Sequence, residues 1–145
     1  MTPDVAELAG LEARCKRAVD QARGYADLLR DELPAPSWRH ARFAEFVVAQ
    51  ASHLLALPRI PAVHWVARRP GAPVAIVFPA LSRSDVFVVD GPLNDNLELL
   101  AHALVHELEH LRQPVGFASA EQDAEETSRR LAPAVYVAAL RALGA

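Results

Sequence analysis

The sequence NLELLAHALVHELEHLR, residues 96–112, carries apolar side chains almost all the way around a helix. A helix with that pattern lies inside a protein, because a surface helix keeps one polar face. We therefore expect a helix over residues 95–112 at the centre of the fold. Asn94 or Asp95 is the expected N-cap, and the segment QPVGFA, residues 113–118, ends the helix with a proline and a glycine.

The rest of the chain predicts helices on both sides of a short sheet. Apolar residues recur at helical spacing near both ends, whereas continuous apolar runs separated by turn residues occupy the middle. The predicted segments are an N-terminal helix in residues 1–33, a helix at 38–57, a sheet at 62–90 with strands at 62–68, 74–78 and 86–89, and a last helix at 119–143. This order predicts a single α+β domain, residues 1–145, with helices packed on a three-stranded sheet.

Local signals refine this outline. Ser37 is the expected N-cap of the second helix, and Ser119 with Gln122 has the spacing of a capping box at the start of the last one. Pro133 lies within the last helix and predicts a kink or a division into two helices. The strands are apolar on both faces, which predicts a sheet covered on both sides or a sheet with a ligand groove on one side.

Composition excludes several classes of protein. The chain has 145 residues, 52% of them apolar, a formal net charge of −3 and one cysteine. A slightly acidic chain has no electrostatic preference for nucleic acid or an anionic membrane, and it has no apolar run long enough to span a bilayer. Cys15 cannot form an intrachain disulfide, which favours a cytoplasmic protein. Its place on the apolar stripe of the first helix predicts a core position.

Residues 106–110, HELEH, contain the pattern H-E-x-x-H. At about 100° per residue, His106 and His110 lie roughly 40° apart on adjacent turns, so both imidazoles can reach one Zn²⁺. Glu107 lies on the same side, where it can accept a proton from a water activated by the zinc. Polar side chains on a buried helix need partners, and we therefore interpret this pattern as a zinc site rather than as a solvated helix face.

The third ligand is expected from the segment EQDAEE, residues 121–126. If Ala124 faces the core, Glu121 and Glu125 flank that inward face, whereas the other two acids point away. A short connection predicts that the last helix returns antiparallel to the zinc helix, which brings either Glu121 or Glu125 to the metal. Glu121 is the preferred ligand and Glu125 the alternative.

A strand hairpin, a helix with H-E-L-x-H and a helix beginning E-x-[ED]-A-x together resemble the small gluzincin metallopeptidases, in particular the ImmA/IrrE-like group. The resemblance covers residues 62–133, including the L-A-P at its end. It implies a zincin-like domain in which Glu121 is the third zinc ligand and Glu125 supports a zinc-binding histidine. Glu109 stands where that group usually has glycine, and Glu125 where it has Asp or Asn.

These features predict a zinc-dependent metallopeptidase that hydrolyses peptide bonds with Glu107 as general base. Its peptide or protein substrate is expected to lie extended along an exposed edge strand of the sheet. The alternative is a non-catalytic, zinc-containing module for protein binding or regulation. In either case the two N-terminal helices offer a surface for a protein partner.

Four further positions carry predictions of their own. His102 lies one turn before His106 and is either at the rim of the site or a partly exposed helix residue. His64 either lines a substrate cleft or forms hydrogen bonds within the sheet. Tyr136 is expected to pack in the core rather than stabilise an oxyanion, and the pair Arg129–Arg130 is expected to be solvated.

Overall fold

The computed structural model describes residues 4–68 and 71–144. In these residues the chain forms α1 (Val5–Arg30), β1 (Glu32–Leu33), α2 (Trp38–Leu54), β2 (Ala62–Val66), β3 (Ala75–Phe78), β4 (Ser82–Val89), α3 (Leu97–Arg112) and α4 (Ala120–Ala142). The predicted α+β class is confirmed. Residues 1–3, 69–70 and 145, which belong to the predicted domain, lie outside the described residues.

The sheet has four strands, so the prediction of three strands was wrong. Its order is β1-β2-β4-β3, with β2 parallel to β4 and the other two pairs antiparallel. The additional strand, β1, consists of Glu32 and Leu33, which the sequence pattern places in the first helix. A strand of two residues is too short for any periodicity, and it exists only through its pairing with Trp65 and Val66.

The sheet carries helices on both faces, as one of the two predicted arrangements requires. Val86 and Val88 of β4 belong to the main core, which includes buried residues of α2, α3 and α4. Phe87 and Val89 point to the opposite face and pack with Leu28 of α1 in a smaller cluster. This alternation follows from the two-residue period of a strand. In the strand order of the sheet, β3 lies at an edge, where it contacts α3.

Side-chain caps fix the starts of α2 and α3. The Ser37 hydroxyl accepts the backbone N–H of His40 at 3.2 Å, as predicted. The amide oxygen of Asn96 accepts the N–H of Leu99 at 3.0 Å and makes Asn96 the N-cap of α3. The predicted caps, Asn94 and Asp95, instead lie in a 3₁₀ turn that precedes α3.

The start of α4 has no side-chain cap, so the predicted capping box was wrong. Ser119 occupies the N-cap position without a capping hydrogen bond, and its hydroxyl contacts Asp123 Oδ2 at 3.3 Å instead. The helix continues through Pro133 to Ala142, which contradicts the predicted division into two helices. A turn closed by the Ala120 N–H and the Phe117 carbonyl at 3.2 Å precedes the helix.

Most of α1 is exposed along its length. Leu8 and Leu11 are exposed, and Leu28 near the C-terminal end is the buried residue of this helix. Cys15 is also exposed, so its predicted core position was wrong. Apolar spacing shows which face of a helix is apolar, but it does not show that the folded chain covers that face. No helix among the described residues combines the length and apolarity needed to cross a bilayer.

A cluster of polar side chains, the His64–Asp85 cluster, connects α1 to the sheet. His64 lies between two carboxylates, with Nδ1 at 2.8 Å from Glu32 Oε1 and Nε2 at 2.6 Å from Asp85 Oδ1. Tyr25 of α1 and Ser82 of β4 donate their hydroxyl hydrogens to Asp85 Oδ2 at 2.7 and 2.6 Å. The cluster therefore joins one helix to three strands of the sheet.

The charges in this cluster determine how it depends on pH. Burial lowers the pKa of His64, but hydrogen bonds and charges of Asp85 and Glu32 outweigh burial, so the pKa is raised overall. Burial raises the pKa of Asp85, but hydrogen bonds from Ser82, Tyr25 and His64 lower it overall. The histidine's contribution to stability is complete below its unfolded pKa and is lost as the pH rises through its folded pKa. The aspartate's contribution is present above its unfolded pKa and is lost as the pH falls through its folded pKa.

The variant Asp85→Asn tests this ion pair. We expect it to lower the free energy of unfolding by about 1–3 kcal/mol at pH 5.5, where His64 is charged, because one of the two accepting oxygens and the negative charge are lost. The loss should be smaller at pH 9, because His64 loses its charge as the pH rises through its raised pKa. Urea unfolding at both pH values measures the difference.

Asp20→Asn on the exposed part of α1 is the matched control and should leave stability unchanged at both pH values. An equal loss for Asp85→Asn at pH 5.5 and pH 9 would contradict a role for the charged histidine.

Candidate metal centre

α3 places two imidazoles beside each other on adjacent turns. The ring centroids of His106 and His110 are 5.0 Å apart. Their side chains are 19% and 14% exposed, so both are mostly buried but still open to solvent. That degree of exposure suits a site that must admit a small ligand.

Glu121, in the first turn of α4, lies between these two histidines. Its Oε2 is 3.1 Å from His106 Nε2, and its Oε1 is 2.8 Å from His110 Nε2. The three side chains offer one ligand atom each, and these atoms lie within 4.8 Å of one another. Two ligands of a tetrahedral zinc at 2.0–2.1 Å would be about 3.3 Å apart. The distances between Glu121 and the histidines are close to that value, so the three residues fit a metal ion.

Glu125 contacts the same histidine from another side. Its Oε2 is 3.4 Å from Nδ1 of His106, the ring nitrogen that does not face Glu121. Its Oε1 is 3.4 Å from Nε of Arg129, which is exposed like Arg130, as predicted. Glu125 is therefore placed to orient the imidazole of His106, whereas Glu121 is placed to bind the same metal ion as that imidazole.

Glu107 lies beside the three candidate ligands and is held by the edge of the sheet. The backbone N–H of Val77 donates a hydrogen bond to its carboxylate. The pairing of β3 with β4 shifts register between Ile76 and Phe78. The extra residues lie on β4, since Ile76 pairs with Phe87 and Phe78 with Ser82. Burial and then the negative charge of Glu121 raise the pKa of Glu107 to about 8, against the effect of Val77. A cation bound nearby would lower that pKa again.

Two residues that contact the site, Gln113 at the end of α3 and Val77 on β3, were not among the residues predicted from the sequence. The amide oxygen of Gln113 lies 3.0 Å from Nδ1 of His110. This contact has a sequence signal, since residues three apart on a helix are neighbours. The N–H of Val77 carries no such signal, because a register shift depends on how two strands pair.

Glu109, the residue at the usual glycine position, turns away from the metal site. Its side chain is 1% exposed and forms a bidentate pair with Arg112, whose Nε donates to Glu109 Oε2 at 2.8 Å. A buried carboxylate requires such a partner, because an unpaired charge inside a protein is strongly destabilising. The pair lies within α3 itself, so the site does not depend on glycine at this position.

The other residues that the sequence suggested for the site have partners within the fold. His102 contacts the Ser128 hydroxyl at 3.2 Å and lies at the rim of the site. His64 forms the sheet hydrogen bonds described above rather than lining the cleft. Tyr136 packs against the main core with its ring edge-to-face to Phe43 at 6.2 Å.

Open cavities lie on both sides of the histidine pair. One, of about 340 Å³, is lined by residues that include Val74, His106 and Glu107. The other, of about 300 Å³, lies beside His110 and is walled by β3 and the segment 113–117. A larger cavity of about 680 Å³ includes none of the three candidate ligands. The open space beside the candidate site therefore extends in two directions.

No protein-family model matches this chain, and neither the curated proteins nor the solved structures contain a significant match. The geometry of the site and the sequence pattern therefore carry the functional argument.

Titration with a divalent cation tests the ligand set. We expect one Zn²⁺ to bind per chain, with an affinity reduced about 100-fold or more in His110→Ala and Glu121→Ala. Glu125→Ala should reduce it about 10-fold, since a group that orients a ligand typically contributes a factor of 10–100. Competition with a chromophoric chelator and metal analysis give both the affinity and the stoichiometry.

Glu126→Ala removes an exposed carboxylate from the same helix and serves as the matched control. Absence of zinc from the wild type would refute the site. A larger loss in Glu125→Ala than in Glu121→Ala would exchange the two roles.

Proposed function

We propose that this chain is a zinc-dependent metallopeptidase with a zincin-like fold of the ImmA/IrrE-like type. The main support is the convergence of His106, His110 and Glu121 beside Glu107. Two histidines and one carboxylate form a ligand set of hydrolytic zinc sites, which keep one coordination position open. A zinc site that served only structure would be closed and would need no adjacent carboxylate.

In this proposal His106, His110 and Glu121 hold Zn²⁺. When bound there, the ion lowers the pKa of a water and polarises the carbonyl of the scissile peptide. The three side chains contribute one negative charge, so a divalent ion keeps a net positive charge for that task. Glu125 on His106 and Gln113 on His110 keep the imidazoles oriented.

Glu107 acts as the proton carrier. Its carboxylate accepts a proton from the attacking water as the water oxygen bonds to the peptide carbon. It then delivers that proton to the amide nitrogen as the carbon–nitrogen bond breaks, so the products are a carboxylate and an amine. The hydrogen bond from Val77 holds the Glu107 carboxylate at the edge of the sheet, where a substrate backbone would arrive.

The substrate in this proposal is a peptide in extended conformation. β3 pairs with β4 along one side, and in the described part of the chain its other side carries no paired strand. An extended peptide can add to such an edge through main-chain hydrogen bonds. The two cavities beside the histidines would receive side chains on either side of the cleaved bond.

A second function, a non-catalytic zinc-containing module for binding or regulation, is favoured by α1. This helix exposes Val5, Leu8, Leu11 and Val19, and exposed apolar side chains along one helix suit a protein partner. The two functions differ in the need for Glu107, because a binding module has no proton to transfer.

The variant Glu107→Gln separates these functions. We expect it to keep its zinc and to lose peptide hydrolysis by a factor of about 10²–10⁴, because it removes the proton acceptor. A library of quenched fluorescent peptides and denatured casein, incubated with zinc-loaded protein, provides the assay.

Glu98→Gln, in the first turn of α3 and outside the candidate ligand set, is the matched control and should retain full activity. Zinc-loaded wild type that cleaves none of these substrates, or activity that Glu107→Gln leaves unchanged, would contradict the peptidase proposal. Retained zinc without cleavage would support the binding module.

A further inference from the structure

Gln113 occupies the C-cap of α3 and connects the two helices that carry the candidate ligands. The residue is 2% exposed, although glutamine is usually solvated. Both the oxygen and the nitrogen of its side-chain amide form contacts. The oxygen lies 3.0 Å from Nδ1 of His110, and the nitrogen donates to the backbone carbonyl of Ala120 at 3.0 Å.

These two contacts determine which nitrogen of His110 faces the metal. The amide nitrogen of Gln113 must point to the Ala120 carbonyl, because a carbonyl can only accept. The amide oxygen then accepts a hydrogen from Nδ1 of His110. With a metal ion bound, the lone pair of the neutral imidazole would consequently lie on Nε2, which is the nitrogen 2.8 Å from Glu121 Oε1.

The contact with Ala120 acts on the second ligand. Ala120 immediately precedes Glu121 and begins α4. The N-cap residue Ser119 makes no capping hydrogen bond, so the helix start lacks its usual anchor. The amide of Gln113 does not cap the helix, because it donates to a carbonyl, but it attaches the backbone next to Glu121 to the end of α3.

Gln113 is itself fixed from two other directions. Its backbone N–H donates to the Glu109 carbonyl at 3.1 Å, and its own carbonyl accepts from Arg83 Nη1 at 3.1 Å. Arg83 belongs to β4 and also donates to the carbonyl of Leu111. The end of α3 is thus attached to the sheet, which makes Gln113 a firm point of attachment for α4.

We propose that Gln113 is a positioning residue that sets both the tautomer of His110 and the distance between His110 and Glu121. This inference rests on the proposed zinc site and adds a residue to its support. In this inference one buried amide positions two ligands. It holds His110 through the imidazole ring and Glu121 through the neighbouring backbone of Ala120.

The test compares zinc affinity in three variants. Gln113→Leu keeps the approximate size but removes both contacts, and we expect it to bind zinc about 10–100-fold more weakly. Gln113→Glu keeps an oxygen for His110 but loses the donor to Ala120, so its affinity should lie between those of Gln113→Leu and the wild type. Gln122→Leu alters an exposed glutamine on α4 and should leave affinity unchanged.

Nitrogen-15 chemical shifts of His110 in the zinc-loaded protein give a readout that a purely structural role would not change. The wild type and Gln113→Glu should show a proton on Nδ1 hydrogen-bonded to residue 113, and Gln113→Leu should lose the shift that marks this bond. Circular dichroism establishes that each variant is folded. If Gln113→Leu does not fold, the affinity of Gln113→Glu and the wild-type shift decide the question.

The outcomes separate this inference from the proposed function. If the wild type binds zinc and both Gln113 variants match its affinity within about twofold, the positioning role is refuted and the zinc site stands. If the wild type binds no zinc, the site itself is refuted and the role of Gln113 with it.

Discussion

The close packing of α4 against α3 is the constraint on which the site depends. The buried residues of α4 are mostly small: Ala124, Thr127, Ser128, Ala132, Val135 and Ala139. Those of α3 include Leu100, Leu104, Leu108 and Leu111. Small side chains on one helix let the other approach closely, since the distance between packed helices follows the size of the residues at the contact. A bulky residue at Ala124 would push the first turn of α4, and Glu121 with it, away from the histidines.

A buried helix that carries polar groups must supply each of them with a partner, and α3 obtains these from its own residues, from its C-cap and from β3. Glu109 is paired within the helix by Arg112, Glu107 accepts from the backbone of β3, and His110 contacts Gln113. Each partner removes a desolvation cost that would otherwise weaken the core. The polar side chains of α3 are therefore held in place by contacts, as its apolar side chains are.

The sequence predicted the parts of this structure that depend on regular spacing. The central helix, the juxtaposition of His106 and His110, and the approach of an acidic first turn of α4 all follow from helical periodicity. The strand Glu32–Leu33 and the register shift opposite Val77 could not be predicted, because both depend on how strands pair in the folded sheet. The cap of α4 was also mispredicted, because the Ser119 hydroxyl bonds the Asp123 carboxylate rather than accepting from a backbone N–H.

The attachment of α1 gives this chain two levels of local stability. A helix of 26 residues is about 39 Å long, and its contacts with the sheet are concentrated in the final turns, around Tyr25 and Leu28. The earlier turns keep their shape mainly through their own backbone hydrogen bonds, whereas most of the stability of helices in proteins comes from tertiary packing. Amide protons there should exchange through local fraying, while those of α3 should exchange only when the whole domain opens. A ligand that covers the first turns of α1 would therefore slow their exchange without changing the rate in the core.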